Sequence, residues 1–282
     1  MFKRSSASWL EDQDFWRFSG IFRDVFLYAA PSAHVRDMKV IAAYAGTNGI
    51  FSATLDIAGK CSVKSILTDE NGTFIAESNE KESVNWTIEN SKPWSAEIPN
   101  LYTFTVILTD ESGNEIEVSR TKVGFRRFEL KNGIMCLNGK RIIFKGINRH
   151  EFDAKTGRAI TKEDMLFDIQ FMKKNNINAV RTCHYPNNSL WYQLCDAYGI
   201  YLIDETNLET HGTWQKLGAT DPSWNVPGSL PEWKEAVLDR AKSMYERDKN
   251  HASVLIWSCG NESYCGEGIA AMSEYFRSVD PT

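Results

Sequence analysis

The stretch Ser253–Gly260 (SVLIWSCG) places a nearly continuous apolar run directly before the polar pair Asn261-Glu262. Similar runs occur earlier in the chain, and they are RIIFKGINRH (141–150), NAVRTCHY (178–185) and IYLIDE (200–205). Each run is followed by a segment that predicts a helix. Apolar strands that alternate with helices are typical of a parallel sheet with both faces buried. We therefore predict an α/β region of four strand–helix units.

Helix boundaries support this alternation. Thr161 is followed three residues later by Asp164, which is the pattern of a capping box, and Met165, Ile169 and Met172 then fall on one helical face. The later helices are predicted from about Ser189 to Gly199, from Pro231 to Asn250 and from about Gly266 to Arg277.

Two architectures can hold such units. A doubly wound sheet usually has a glycine-rich phosphate turn after its first strand, and Gly146–His150 (GINRH) is not one. Polar residues instead follow all four strands: Asn148, Arg149 and His150; Arg181 and His184; Asp204, Glu205, Glu209 and His211; Asn261 and Glu262. Because a TIM barrel carries its active site at the carboxyl ends of its strands, we predict residues 129–282 to be the first four of its eight units.

The preceding region has a different pattern. Residues 33–128 contain about seven short strands of period two, separated by turns such as Asn71-Gly72, which predicts an immunoglobulin-like β-sandwich. In residues 1–32, Phe15–Tyr28 reads as two strands joined at Ser19-Gly20. Two strands are too few for a core of their own, so we expect residues 1–32 to be the end of a further domain.

Composition limits the class of protein. The 282 residues are 42% hydrophobic and carry a net charge of −5 without a lysine- or arginine-rich block, which argues against nucleic acid and membrane partners. No run is long enough to span a membrane, and the first residues lack a signal-peptide pattern, so we expect a cytoplasmic protein. The six cysteines form no C-x-x-C pair and are expected to be buried free thiols.

Glu262 is the strongest catalytic candidate. A glutamate at the carboxyl end of a barrel strand points into the substrate cleft, where partial burial raises a carboxyl pKa toward that of a general acid. The alternative is a glutamate that caps a helix or forms an ion pair. Asn261 could bind a substrate hydroxyl, or could be an ordinary turn asparagine.

Several further residues could bind a ligand or a metal ion, or could have a structural role only. Glu209 and His211 lie two residues apart and, with Glu262, offer ligands to a divalent cation; a loop ion pair is the alternative. His150 and His184 both follow strands, which favours ligand contact over loop capping. Trp214 and Trp224 could stack on a sugar ring or anchor their loop.

These motifs resemble a known family. NRHEF (148–152), RTCHYPNNSLWYQLCDAYGIYLIDETNLETHG (181–212) and WSCGNES (257–263) resemble the bacterial β-galactosidases of glycoside hydrolase family two. LEDQDFWRFSGIFRDV (10–25) and PWSAEIPNLYTFTV (93–106) resemble the jelly-roll and linking domains of the same family. The sister β-glucuronidases share the Asn-Glu pair, but the ETHG and LEDQDFWR stretches favour the galactosidases.

The resemblance implies a retaining hydrolysis of β-galactosides such as lactose. It assigns Glu262 as acid/base and Asn261 as a contact to the 2-hydroxyl of the sugar. Glu209, His211 and Glu262 would hold Mg²⁺, and His150 and His184 would contact the galactosyl group. Asp14, or else Asp12, would lie near the sugar 6-hydroxyl and a Na⁺ ion.

The family nucleophile is a second glutamate on a later barrel strand, and no residue of this sequence matches it. Asp204 and Glu205 are expected to support loops and arginine side chains instead. We therefore expect this polypeptide to be nearly inactive alone and to need the remainder of the chain or further subunits. The alternative functions are a non-catalytic carbohydrate-binding or assembly fragment and a truncated product without independent function.

Overall fold

The structure is a computed structural model that describes residues 7–11, 14–15, 20–211 and 225–281. In these ranges the chain forms a short helix α1 (Ala7–Leu10), a β-sandwich, a small β-meander and a parallel sheet with flanking helices. The sandwich follows α1 in the sequence and precedes the parallel sheet. It packs against the amino ends of the parallel strands.

Seven strands form the sandwich, as predicted. They are β1 (His34–Ala45), β2 (Asn48–Ala58), β3 (Ser62–Thr68), β4 (Phe74–Ser78), β5 (Ser83–Ile88), β6 (Tyr102–Thr109) and β7 (Glu115–Val123). One sheet has the order β1-β2-β5 and the other β4-β3-β6-β7, with antiparallel neighbours throughout. Along β6 every second side chain is buried, because alternate residues face the opposite sheet.

A three-stranded meander links the sandwich to the parallel sheet. Its strands are β8 (Phe128–Lys131), β9 (Ile134–Leu137) and β10 (Lys140–Arg141). Asn132 and Gly133 join β8 to β9 with φ angles of 53° and 74°. Two successive positive φ angles are the requirement of a type I′ hairpin turn, and Asn-Gly is the residue pair that adopts them most readily.

The parallel sheet has the order β11-β12-β13-β14, which is also the order of its strands in the sequence. These strands are Gly146–Asn148, Ala179–Arg181, Tyr201–Glu205 and Val254–Ser258, and they are followed in turn by α2 (Lys162–Lys174), α3 (Ser189–Tyr198), α4 (Pro231–Asp248) and α5 (Glu267–Val279). A doubly wound sheet reverses its strand order at a switch point, whereas sequential order is the pattern of a barrel wall.

Local sequence signals set the helix ends. Thr161 accepts a hydrogen bond from the Asp164 amide while the Asp164 side chain accepts one from the Thr161 amide, which confirms the capping box. Gly199 ends α3 in the left-handed conformation at φ 73°. A side chain at Gly199 would lie 2.4 Å from the carbonyl oxygen of Ala96, so glycine is also needed for close packing against the sandwich.

The sandwich and the parallel sheet share a small apolar core. Trp94 is fully buried there with Tyr201 and Leu255, and its indole nitrogen donates to the carbonyl oxygen of Asp196. The buried guanidinium of Arg126 donates to the carbonyl oxygens of Ala252 and Val254, at the start of β14. These bonds fix the orientation of the sandwich relative to the parallel sheet.

Three expectations need correction. Residues 20–28 form no strand, because no described strand lies beside them to complete backbone pairing, and the side chains of Val25, Phe26 and Leu27 are exposed. The cysteines are all free, but Cys265 is exposed and Cys61 and Cys259 are only partly buried. Among the described residues ahead of Asp14, Ala7–Leu10 form helix α1 and Glu11 forms a bridge to Glu209, so the segment expected to end a further domain also contains a helical turn. Within the described ranges, none of the helices has the length and apolar character to cross a membrane.

Candidate active site

The loops after β13 and β14 meet at the carboxyl edge of the parallel sheet. The Asn261 amide donates to the carbonyl oxygen of Leu208 at 2.8 Å, and the Thr210 amide donates to that of Glu262 at 3.2 Å. Gly260 makes this approach possible, since it has a φ of 119° and a side chain there would lie 2.5 Å from the Leu208 oxygen. The loop carrying Asn261 and Glu262 is thereby held against the loop carrying Glu209 and His211.

Glu205, the last residue of β13, lies at the centre of a hydrogen-bonded network. Its buried carboxylate accepts bonds from Arg181 Nε at 2.7 Å, from His184 Nδ1 at 2.7 Å and from the Ser258 hydroxyl at 2.7 Å. Burial alone would raise the pKa of Glu205, but the bonds from His184, Ser258 and Arg181 outweigh it and the pKa is lowered. Glu205 is therefore an ionised anchor that orients residues from the two neighbouring strands β12 and β14.

Asn261 connects two charged groups. Its side-chain oxygen accepts a bond from Arg181 at 2.8 Å, and its side-chain nitrogen donates to Glu209 Oε1 at 2.9 Å. The Arg181 guanidinium fixes the amide orientation, because it can only donate. Burial raises the pKa of Glu209, although the bond from Asn261 opposes that rise. An ordinary turn asparagine would not need this pair of partners.

The two histidines of the site lie edge to face. The rings of His150 and His184 are 5.4 Å apart at 85°, and His150 Nδ1 is 3.4 Å from the Tyr185 hydroxyl. Nδ1 of His184 donates to the ionised Glu205, which leaves Nε2 facing Asp14 Oδ2 at 3.4 Å. Asp14 also uses its backbone amide to donate to Glu209 Oε2 at 3.2 Å. His150, His184 and Asp14 therefore lie together at the carboxyl edge of the parallel sheet.

Glu262 lies in the loop after β14, at the same edge of the sheet. Its Oε2 is 2.5 Å from His211 Nδ1, and its side chain is 47% exposed. The expected partial burial of this carboxyl group is therefore limited, since solvent reaches about half of it. The position still fits a general acid, because Glu262 follows the carboxyl end of a parallel strand.

The Glu209, His211 and Glu262 side chains fit a divalent cation by donor type. They offer carboxylate oxygens and one imidazole nitrogen, and the two backbone bonds between their loops bring them to one side of the sheet. His211 and Glu262 contact each other directly, so both side chains already share one location. Glu209 instead accepts a bond from Asn261, and its ligand atoms group with those of Asp14 and His184, so in the described residues the structure does not bring all three predicted magnesium ligands together.

Other predicted residues have different positions. Asp12, Trp214 and Trp224 lie outside the described residues. Asp204 is fully buried beneath the edge, where it accepts a hydrogen bond from Tyr192 at 2.6 Å and one from Thr182 at 3.2 Å, so it supports packing instead of an arginine. Arg149 is also a support, because it donates to Asp168 and Asn187.

Sequence reasoning missed the connecting residues. Arg181 was noted only as a polar residue after a strand, yet it joins Glu205 to Asn261. Cys183 was assigned only to the buried thiols, although it lies next to His150 and His184. The position of Arg181 and Cys183 at the carboxyl end of β12 was the signal available for both.

The chain matches two family descriptions. Residues 128–282 match "Glycosyl hydrolases family 2, TIM barrel domain", and residues 23–126 match "Glycosyl hydrolases family 2". The first match covers the parallel sheet and the residues that follow its strands, from His150 to Glu262.

Curated relatives are similar along the whole chain. A β-galactosidase from Clostridium acetobutylicum is 60% identical over 291 residues, covering 100% of this chain and 32% of the relative. A β-galactosidase from Streptococcus thermophilus is 57% identical, covering 100% of this chain and 28% of the relative. A protein from Lactobacillus helveticus described as a β-galactosidase large subunit is 51% identical, covering 100% of this chain and 46% of the relative. The chain thus spans only 28% to 46% of the length of these relatives.

Solved structures support the same fold. The apo structure of a β-glucuronidase from Ruminococcus gnavus superposes with a TM-score of 0.78 at 26% sequence identity, covering 89% of this chain and 42% of that one. A β-D-glucuronidase from Dictyoglomus thermophilum gives a TM-score of 0.78 at 25% identity, covering 89% and 43% respectively.

Proposed function

Because the chain belongs to glycosyl hydrolase family 2, we propose that it is part of a β-galactosidase that hydrolyses terminal β-galactosides with retention of configuration. The observation that carries this proposal is the position of Glu262 and Asn261 beside Glu209, in a chain 60% identical to a β-galactosidase. Lactose-like disaccharides are the proposed substrates.

Each cleft residue has a role in this proposal. Glu262 protonates the glycosidic oxygen and later removes a proton from water, as the acid/base of a retaining enzyme does. Asn261, held by Arg181 and Glu209, binds the sugar 2-hydroxyl. His150, His184 and Asp14 bind the galactosyl group, with Asp12 as the alternative to Asp14 near the 6-hydroxyl.

Glu209, His211 and Glu262 would hold Mg²⁺ in this proposal. The ion would supply positive charge beside the acid/base carboxyl and so stabilise its ionised form. Asp14 would take part in a Na⁺ site near the sugar 6-hydroxyl. The His211 side chain positions Glu262 through the contact between the two side chains.

Retaining hydrolysis needs a second carboxylate about 5 Å from the first. Glu205 is anchored by three hydrogen bonds and Asp204 is fully buried, so neither can attack a sugar. Glu209 is also buried and accepts a bond from Asn261. We propose that the nucleophile comes from residues beyond these 282, and that the isolated polypeptide is nearly inactive.

The rest of the active protein would be the remainder of a longer chain or another subunit. The match to a large subunit in Lactobacillus helveticus supports an assembly of this kind. We further propose that residues 1–32 end a jelly-roll domain, that 33–128 form the sandwich domain and that 129–282 are the first four units of the barrel. A cytoplasmic location belongs to the same proposal and is supported by six free cysteines.

β-Glucuronidase activity is the second candidate, because the superposed structures are β-glucuronidases. Identities of 57–60% with β-galactosidases against 25–26% with those structures favour the galactoside. A carbohydrate-binding fragment without turnover is the remaining alternative, and galactoside binding lost on His184→Ala without any hydrolysis would favour it.

A chimera tests the proposal. The 282 residues replace the matching segment of the Clostridium acetobutylicum relative, and hydrolysis of nitrophenyl β-galactoside and nitrophenyl β-glucuronide is measured. We expect activity on the galactoside in the chimera, and almost none from the 282-residue chain alone. Preference for the glucuronide would reject the substrate assignment. Turnover by the chain alone that Glu262→Gln removes would show that the nucleophile lies within it.

A further inference from the structure

We propose that His150, Cys183 and His184 form a binding site for a soft or borderline transition-metal ion such as Zn²⁺, separate from the proposed magnesium ligands. The ligand atoms of these three residues all lie within 4.8 Å of one another. Two imidazoles and a thiolate are the donors that Zn²⁺ prefers and that Mg²⁺ does not.

The hydrogen bonds of His184 prepare it for metal binding. Its Nδ1 donates to the ionised carboxylate of Glu205, which makes Nε2 the nitrogen that a metal ion would bind. A carboxylate that holds the distal nitrogen of a metal-binding histidine is a common arrangement, because it fixes both tautomer and ring orientation and makes the ligand more basic. Arg181 and Ser258 hold Glu205 in turn, so the Nε2 direction is set before an ion arrives.

His150 approaches from the neighbouring strand. Its ring lies edge to face with that of His184, at a centroid distance of 5.4 Å. Burial lowers the pKa of His150, and the nearby His184 lowers it further, so the imidazole is neutral and can donate a lone pair. A neutral ring is the form that binds metal.

Cys183 supplies the selectivity of the site. It is a buried free thiol, and burial raises its pKa to about 11. A metal ion must therefore replace the thiol proton, which passes to solvent as the metal–sulfur bond forms. Ions with high affinity for sulfur meet this requirement, whereas Mg²⁺ and Ca²⁺ do not.

A second group of possible ligands shares His184. The ligand atoms of Asp14, His184 and Glu209 also lie within 4.8 Å of one another, but this group has two carboxylates and no sulfur. The thiol-containing group therefore fits a sulfur-preferring ion better.

A metal ion bound at this site would prevent the sugar from binding. His150 and His184 are proposed galactosyl contacts, so a metal ion on their nitrogens would compete with substrate; this consequence alone rests on the proposed function. Binding of the ion does not depend on it, and a spectroscopic test keeps the two questions apart.

Co²⁺ is the probe for the experiment, since thiolate coordination to Co²⁺ gives strong near-ultraviolet charge-transfer absorption. We expect the metal-free 282-residue chain to show this band on addition of Co²⁺, and Zn²⁺ to remove it while excess Mg²⁺ does not. Cys183→Ala should abolish the band. Cys136→Ala, which changes another buried thiol, and Cys265→Ala, which removes the exposed one, should retain it.

Variants of the other ligands keep the test decisive if Cys183→Ala folds poorly. His150→Ala should raise the Co²⁺ dissociation constant by at least about 10- to 100-fold, the loss typical for residues that only support a ligand. The proposal is wrong if the wild-type chain gives no band, or if the band survives in a folded Cys183→Ala or Cys183→Ser.

Discussion

Glu205 Oε1 lies 2.7 Å from His184 Nδ1, while Oε2 of the same carboxylate lies 2.7 Å from Arg181 Nε. One buried side chain at the end of β13 thus orients a histidine and an arginine from the β12 strand end. Arg181 in turn donates to the side-chain oxygen of Asn261 at 2.8 Å, which orients the Asn261 amide. His184 and Asn261 are therefore coupled through Glu205 and Arg181, and Glu205 itself has no proposed contact with the substrate.

Replacement of Glu205 should destabilise the protein. Glu205→Gln removes the charge that three donors share in a buried position, and we expect the free energy of unfolding to fall by about 2–3 kcal/mol. Urea unfolding measures it. The control is Glu77→Gln, which alters a half-exposed ion pair with Lys64 and should change the free energy by less than about 0.5 kcal/mol. Equal effects of the two changes would contradict the role given to Glu205.

Asp204 should make stability fall as pH rises. Burial, and next the nearby Asp248 carboxylate, raise the pKa of Asp204 well above its ordinary value of 3.8. The group therefore contributes fully to stability below pH 3.8 and loses this contribution as pH rises toward the folded-state pKa, by at most about 1.4 kcal/mol per pH unit. Asp204→Asn removes this ionisable carboxyl group and with it the pH-dependent contribution to the free energy of unfolding.

The stability of Asp204→Asn relative to wild type should therefore increase between about pH 4 and about pH 7. Urea unfolding of both proteins at several pH values measures this difference. A difference that stays constant over that range would mean that Asp204 is ionised in the folded protein. Comparison at each pH cancels the contribution of all other titrating groups that the substitution leaves unchanged.

Loss of Glu262 should depend on the leaving group. In the chimera, Glu262→Gln removes the proposed proton donor, so kcat for lactose should fall by about 10²- to 10⁴-fold. Nitrophenyl β-galactoside should lose less in the bond-breaking step, because nitrophenolate leaves without full protonation. Glu267→Gln, an exposed glutamate at the start of α5, is the control and should retain full activity. Equal losses on both substrates would count against the acid/base role.

Removal of His211 should weaken the proposed magnesium site. His211 contacts Glu262 at 2.5 Å, and His211→Ala in the chimera should raise the Mg²⁺ concentration needed for half-maximal activity by about 10- to 100-fold. Activity after EDTA treatment and stepwise Mg²⁺ addition gives this value. His34→Ala, in the sandwich, should leave the Mg²⁺ dependence unchanged. An unchanged requirement in His211→Ala would remove His211 from the ligand set.

Much of the fold could be predicted from local patterns. The seven sandwich strands, the hairpin at Asn132-Gly133, the Thr161 cap and the four parallel strands each follow from periodicity or turn chemistry within a few residues. The strands expected in Phe15–Tyr28 were wrong for the described residues 20–28, because a strand is stabilised by the edge it pairs with, and that edge lies outside the segment.

The sequence by itself determined which residues stand at the carboxyl ends of the strands, since apolar runs and helix caps locate those ends to within a residue or two. Only the tertiary structure decided what these residues do to one another. Residue spacing does not reveal that Arg181 bonds to Asn261, which is 80 positions away in the sequence, or that the ligand atoms of Cys183, His150 and His184 lie within 4.8 Å of one another. The physical reason is that hydrogen bonds and metal ligation depend on distances of a few ångströms, which arise only when parallel strands pack side by side.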